Sequence, residues 1–169
     1  MIVYDFPRMK FFRLLLPVAL LAFLFSCSAP TGGSPTKLDF KFAAVDGRDV
    51  DLAKLKGKVV LVDFWATWCP ECVGEVPHVV ETYKKFHHRG FEIVGISLDE
   101  DKDALTTFTK SHGMDWPQYF DGKGWDSSIG TKYGIRSLPA MWLIDKEGNV
   151  AAKNAREDLA GQVEKLLAK

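Results

Sequence analysis

The chain has 169 residues, and its 22 lysine and arginine residues balance its 22 aspartate and glutamate residues, so its formal net charge is zero. Apolar residues make up 47% of the chain, which is enough for the core of one globular domain and excludes a disordered chain. The charge balance argues against a nucleic-acid-binding protein, and three cysteines are too few for a small domain stapled by disulfides.

The N-terminal segment, residues 1–26, resembles a bacterial lipoprotein signal peptide. Basic residues between positions 8 and 13 precede an uncharged apolar run over residues 14–25, which is shorter than the roughly 20 residues of a membrane-spanning helix. The run ends in a lipobox-like sequence, so we expect cleavage before Cys27 and lipidation of that cysteine. An ordinary signal peptide or an uncleaved anchor is the alternative, and either Met1 or Met9 fits as the start.

The remaining chain is predicted to be one tethered domain. Residues 27–36 are rich in Ser, Pro, Gly and Thr and are expected to form a flexible tether, followed by a single domain over residues 37–169. Acyl chains on Cys27 would hold this domain on the periplasmic, or more generally extracytoplasmic, side of a bacterial membrane. The sequence contains no internal repeat.

The spacing of apolar residues predicts alternating strands and helices in this domain. Residues 58–65 are almost continuously apolar, which is typical of a strand covered on both faces, so we place them at the centre of the sheet. Asp99, Asp101 and Asp103 resemble the start of a calcium loop but lack its glycine and final glutamate, so they indicate an acidic helix N-terminus. In chain order, the predicted elements are a hairpin (40–44 and 50–52), a strand (58–65), a long helix from Cys72 to the stop at Arg89–Gly90, a strand (91–98), two helices (101–112 and 126–133), a hairpin (139–145 and 150–153) and a final helix (156–168).

Residues 68–72, Trp-Cys-Pro-Glu-Cys, lie where the predicted central strand gives way to the long helix. Two cysteines at this spacing can close a disulfide across one helical turn, and the first meets the positive end of the helix, which stabilises a thiolate. We therefore expect Cys69 to be an exposed nucleophile and Cys72 a buried resolving thiol. A structural disulfide or half of a zinc site is the alternative, but zinc needs about four ligands and no second CxxC or HxxxH motif is present.

Residues 62–72, together with Pro77, resemble the active-site segment of thioredoxin. Glu75 and the later run over residues 132–148 are more similar to the TlpA/ResA-like branch, the exported thiol-disulfide oxidoreductases. The resemblance extends from about Leu38 to the C-terminus. It implies an α/β, thioredoxin-like fold with an N-terminal β-hairpin, an inserted βα element and a central mixed sheet flanked by helices.

The resemblance also implies a substrate-binding surface around the cysteines. Pro139 corresponds to the cis-proline that faces the disulfide, and the backbone at Leu138 corresponds to the part that pairs with an extended substrate. A proline that merely starts a strand is the alternative. Trp68 and Pro70 flank Cys69 and are expected to belong to the same surface. Three other tryptophans are expected in the core: Trp116, Trp125 and Trp142.

Two acidic residues match positions of the family's active site. Asp63 matches a buried aspartate, whose pKa should be raised inside an apolar strand and which would accept the proton of Cys72. Glu75 matches the branch's active-site glutamate, which would raise the thiol pKa values. The alternatives are a solvent-facing aspartate at the strand's end and a solvated helix residue. Pro70 offers no N–H to the nucleophilic sulfur and Glu71 adds a negative charge, so both favour a reducing enzyme.

These features predict a thiol-disulfide oxidoreductase that reduces exported cysteine-containing proteins, with apocytochrome c among the substrates that the family suggests. We expect a membrane thiol donor to re-reduce the Cys69–Cys72 pair, no other cofactor or metal, no nucleic-acid partner and a monomeric state. A thiol peroxidase related to the peroxiredoxins is an alternative, although Val62 and Ala66 occupy the places of that motif's proline and threonine. A copper-delivery module is another, although that family uses CxxxC.

Overall fold

The computed structural model describes residues 37–169, so the predicted signal peptide, the tether and the lipidation site Cys27 lie outside the described residues. The strands are β1 Lys41–Ala43, β2 Asp49–Asp51, β3 Val59–Trp65, β4 Phe91–Ser97, β5 Gln118–Tyr119, β6 Ala140–Ile144 and β7 Val150–Ala152. The helices are α1 Pro70–Phe86, α2 Lys102–Ser111, α3 Ser128–Lys132 and α4 Leu159–Leu167.

Five of the strands form one mixed sheet in the order β5-β4-β3-β6-β7, and β1 and β2 form a separate hairpin. β3 pairs in parallel with β4 and antiparallel with β6, and every residue of β3 is buried. The prediction of a central strand covered on both faces is therefore confirmed, since only burial of both faces selects an almost continuous apolar run. The order of elements is that of the thioredoxin-like arrangement implied by the resemblance.

Aromatic contacts place the helices on the two faces of the sheet. Phe108 of α2 packs against Trp65 with ring centroids 5.6 Å apart, on the face of β3 that also carries Asp63, since residues two apart in a strand share a face. On the other face, Tyr133 follows α3 and packs edge-on against Trp142 and against Phe40 near the hairpin. The domain core thus lies in two layers on either side of β3.

The structure differs from the predicted elements in several places, of which three bear on the site. The two-residue strand β5 was not predicted, because two residues are too few to show a periodic pattern. The predicted helix over residues 126–133 is shorter and follows a 3-10 turn, Gly124–Asp126, and the predicted helix over residues 156–168 begins with a 3-10 turn, Arg156–Asp158, before α4. Within residues 37–169, no helix has the length and apolar character needed to cross a membrane.

Candidate active site

The two cysteines lie at the start of α1, directly beyond the carboxyl end of the central strand. Cys69 is the N-cap residue of this helix, and its Sγ accepts a hydrogen bond from the backbone N–H of Cys72 at 3.2 Å. The two residues form a disulfide with their Cα atoms 5.3 Å apart. The sulfur of Cys69 therefore faces the unpaired N–H groups of the helix, where a thiolate is stabilised.

One expectation about the cysteines is wrong in this oxidised state. Cys69 was expected to be exposed, but it is 6% exposed, little more than Cys72 at 4%. The cause is the cap itself, since the Cys69 side chain turns back toward the helix and is bonded to Cys72.

Asp99 holds the loop that precedes the cysteines. Its buried carboxylate accepts hydrogen bonds from the backbone N–H of Thr67 at 3.0 Å, from the Thr67 hydroxyl at 2.6 Å and from the Ser97 hydroxyl at 2.7 Å. The indole N–H of Trp68 donates to the Leu98 carbonyl at 3.2 Å. Sequence reasoning grouped Asp99 with the acids of the next helix. One signal in the sequence could have identified this role. Asp99 follows the predicted strand over residues 91–98, and if that strand is parallel to β3, its carboxyl end lies beside the loop that precedes Cys69.

Asp63 is buried in β3, 6% exposed, with Gly95 and Met141 beside it in the neighbouring strands. Among residues 37–169, no donor lies within hydrogen-bonding distance of its Oδ1. Desolvation, and secondarily the negative charge of Glu75, raise the pKa of Asp63 from 3.8 to about 7. Such a carboxyl exchanges its proton near neutral pH, which suits a proton acceptor. The alternative of a solvent-facing aspartate is wrong.

Glu75 lies one helical turn after Cys72, and an arginine 81 positions later in the chain binds it. Its side chain is only 22% exposed, so it is not a fully solvated helix residue. Arg156 donates from Nε to Glu75 Oε1 at 2.8 Å and from Nη1 to Glu71 Oε2 at 3.1 Å. These hydrogen bonds, above all the one to Glu75, raise the pKa of the guanidinium. Sequence reasoning missed Arg156, because no local pattern indicates a contact between residues more than 80 positions apart.

The residues expected to bind substrate lie around this site with different exposures. Pro70 occupies the first turn of α1 and is exposed, whereas Leu138 and Pro139 are half-buried and are joined by a cis peptide bond. Leu138 and Pro139 line an open groove of about 1100 Å³ together with Glu75 and Arg156. The groove thus connects the 138–139 segment with the acidic side of α1.

An exposed aromatic pair lies beside Cys69. Trp68 and Trp125 are 48% and 47% exposed, with ring centroids 5.7 Å apart, and they are the two exposed large hydrophobic residues among residues 37–169. The prediction that Trp125 belongs to the core is wrong, while Trp116 and Trp142 are buried as expected. Trp125 lies in the 3-10 turn after β5, which brings it to Trp68.

Potential metal ligands are not clustered in the described part of the chain. Within residues 37–169, no group of three or more His, Cys, Asp or Glu side chains is arranged to hold a metal ion. Asp101 of the calcium-like run instead caps α2, where its carboxylate accepts hydrogen bonds from the N–H groups of Asp103 and Ala104, as an acidic helix N-terminus should.

Comparisons with known proteins agree with this geometry. The Redoxin family model matches residues 31–168. The thiol-disulfide oxidoreductase ResA of Bacillus thuringiensis (strain Al Hakam) is 37% identical over 132 residues, which are 76% of this chain and 75% of that protein. A crystal structure of the thioredoxin domain of a thiol-disulfide oxidoreductase from Bacteroides vulgatus is 32% identical, with a TM-score of 0.71, covering 79% of this chain and 96% of that chain. A solution structure of a thiol:disulfide interchange protein from Bacteroides sp. is 30% identical, with a TM-score of 0.69, and the match covers 80% of this chain and 90% of that chain.

Proposed function

Because this chain belongs to the redoxin family and is a TlpA/ResA-like thiol-disulfide oxidoreductase, we propose that it reduces disulfide bonds in exported proteins. Cys69 is the attacking thiol, Cys72 the resolving thiol and Asp63 the proton acceptor. The observation that carries the proposal is the Cys69–Cys72 disulfide at the N-terminus of α1, which follows the strand that holds a buried carboxyl, Asp63, whose pKa is raised to about 7. A purely structural disulfide would not need a carboxyl that exchanges its proton near neutral pH.

The reaction transfers two electrons from the cysteine pair to the substrate. The Cys69 thiolate attacks one sulfur of the substrate disulfide, which forms a mixed disulfide and releases the other substrate sulfur as a thiolate. The Cys72 thiol then gives its proton to the Asp63 carboxylate, and the resulting thiolate attacks the Cys69 sulfur. The Cys69–Cys72 disulfide closes, and the second substrate sulfur leaves and takes up a proton.

The charges and donors at the helix start favour the reducing direction. The Cys69 sulfur receives one backbone N–H, from Cys72, because Pro70 has none to give. Glu71 and Glu75 add negative charge in the first two turns, which disfavours a thiolate and so favours the disulfide form of the enzyme after reaction. Arg156 offsets part of this charge, since it binds both glutamates.

The substrate surface comprises an aromatic side and a groove side. Trp68 and Trp125 offer an exposed apolar contact next to Cys69, and aromatic side chains commonly carry binding energy at protein interfaces. Leu138 and Pro139 line the groove. An extended polypeptide bearing a disulfide is the substrate class that suits this surface, and apocytochrome c is one such protein.

The location follows from the N-terminal sequence. Export by the segment over residues 1–26, lipidation of Cys27 and a tether over residues 27–36 place the domain on the periplasmic face of a membrane. A membrane dithiol protein then re-reduces the Cys69–Cys72 disulfide, and the monomer needs no cofactor besides that disulfide. Incorporation of a labelled fatty acid into the full chain, but not into Cys27→Ser, tests the anchor.

A trapping experiment tests the roles of the two cysteines. Reduced full-length Cys72→Ser is mixed with a disulfide-bonded protein such as insulin and is expected to accumulate a mixed disulfide through Cys69, detected by non-reducing electrophoresis and mass spectrometry. Cys69→Ser is the matched control and should form none. Trapping by Cys69→Ser instead, through Cys72, would reverse the assignment, and trapping by neither variant would contradict the proposed reaction.

A further inference from the structure

Arg156 is the cationic side chain bound to the acidic residues beside the cysteines. It belongs to the 3-10 turn before α4, yet it reaches α1 and donates to Glu75 at 2.8 Å and to Glu71 at 3.1 Å. The two acceptors are on neighbouring turns of the helix, so one planar guanidinium holds both carboxylates. Such a fork fixes the direction of the carboxylates as well as offsetting their charge.

Glu75 matters to the site because its charge reaches Asp63. Burial is the main cause of the raised Asp63 pKa, and the negative charge of Glu75 adds to it. Asp63 is buried and Glu75 is largely buried, so solvent screens this repulsion less than it screens a surface pair. A cation bound to Glu75 therefore lowers the negative potential that Asp63 experiences.

We propose that Arg156 is a positioning residue of the dithiol site. It holds the Glu75 carboxylate and offsets its charge, so that Asp63 is a carboxylate when Cys72 must give up its proton. The inference rests on the proposed function for the proton transfer, but the effect of Arg156 on Asp63 does not. Loss of the guanidinium leaves Glu75 unneutralised, which disfavours the Asp63 carboxylate. Fewer molecules then have a proton acceptor at neutral pH.

Charged groups from several elements line the groove around Glu75. Glu71 and His78 lie one turn before and after it on α1, and Arg156 reaches it from the turn before α4. The remaining charged or titratable residues of the groove are Glu81, Lys85, Arg136, Lys153, Glu157 and Asp158. The charge of Glu75 also acts on Asp63 of β3. The strand neighbours of Asp63, Gly95 of β4 and Met141 of β6, are not ionisable. Arg156 is the cation that donates hydrogen bonds to Glu75 and Glu71, so its removal takes away a positive charge in direct contact with Glu75 and has a defined electrostatic sign.

Four variants of the full-length chain test this inference. The proton equilibrium of Asp63 is followed by carboxyl carbon NMR in Arg156→Gln, Arg156→Lys, Glu75→Gln and the double variant Arg156→Gln/Glu75→Gln. Arg156→Gln should raise the pKa of Asp63 above its value in the wild type. Arg156→Lys keeps the positive charge, so the pKa of Asp63 in this variant should stay close to the wild-type value. The double variant should match Glu75→Gln, because without a charge on Glu75 the arginine has nothing to offset.

The pH profile of mixed-disulfide resolution gives the kinetic readout. In Arg156→Gln we expect resolution about three- to fivefold slower at pH 7, converging with the wild type near pH 9 where Asp63 is ionised in both. Arg89→Gln is the matched control, since it removes an arginine paired with Glu164 at 3.6 Å on another part of the surface.

The outcomes separate this inference from the proposed function. An unchanged Asp63 pKa in Arg156→Gln, or an equal rise with and without Glu75, would overturn the role of Arg156. If the wild type reduces no protein disulfide but Arg156→Gln still raises the Asp63 pKa through Glu75, the proposed function fails and the electrostatic role of Arg156 stands.

Discussion

The buried carboxyl of Asp63 should make the stability of the oxidised protein fall as the pH rises. Folding raises the pKa of Asp63 from 3.8 to about 7, so between these values the native state holds a proton that the unfolded state has lost. Each tenfold change in a protonation equilibrium is about 1.4 kcal/mol, so ionised Asp63 destabilises the native state by about 4 kcal/mol above pH 7. In Asp63→Asn the side chain at this position is uncharged at every pH, so the variant should not show this pH-dependent loss of stability.

Urea unfolding of the oxidised wild type and of Asp63→Asn, at steps from pH 4 to pH 8, measures the effect. The free energy of unfolding of the variant relative to that of the wild type should rise by up to about 4 kcal/mol across this range, with the change centred between the two pKa values. Asp126→Asn, at an exposed position, is the matched control. Parallel curves for Asp63→Asn and the wild type would refute the raised pKa and remove the basis for Asp63 as proton acceptor.

Two further substitutions test the packing around the site. A Cβ at position 95 would overlap Gln118 Oε1, which accepts a hydrogen bond from the buried indole N–H of Trp65 at 3.0 Å. Gly95→Ala should therefore lower the free energy of unfolding, measured with denaturant, by about 1–3 kcal/mol. The loss should be smaller in a Gln118→Ala background, and a fully additive pair would contradict the clash. Asp99→Asn replaces a charged acceptor of several hydrogen bonds and should cost about 2–3 kcal/mol and slow the reaction with disulfides. Asp101→Asn, at the exposed cap of α2, should change stability by less than about 0.5 kcal/mol, since Asn caps a helix as well as Asp; equal losses for the two aspartates would disprove the special role of Asp99.

Local patterns were sufficient to predict the centre of the fold and the cysteine pair. The apolar run of β3 and the helical spacing after Cys72 each reflect burial of neighbouring residues in the sequence, so the strand, the helix and their junction follow directly. The buried setting of Asp63 was predicted for the same reason, because a carboxylate inside a buried strand has no route to solvent. What the pattern predicted least well is β5, which is too short to be periodic.

Long-range contacts could not be predicted from the sequence. The pairing of Arg156 with Glu75, the hydrogen bonds of Asp99 to the loop before Cys69 and the exposure of Trp125 all depend on where distant segments meet. An arginine before a helix and a tryptophan in a turn have many possible environments, and only the tertiary fold selects among them.

The reduction potential of the Cys69–Cys72 pair is the most direct test of a disulfide-reducing enzyme. It is measured by thiol trapping and mass spectrometry of the full-length protein after equilibration in graded dithiothreitol buffers. We expect a value near that of thioredoxin, about −270 mV. A value near about −120 mV would describe an oxidant that introduces disulfides, and would contradict the direction proposed for this protein.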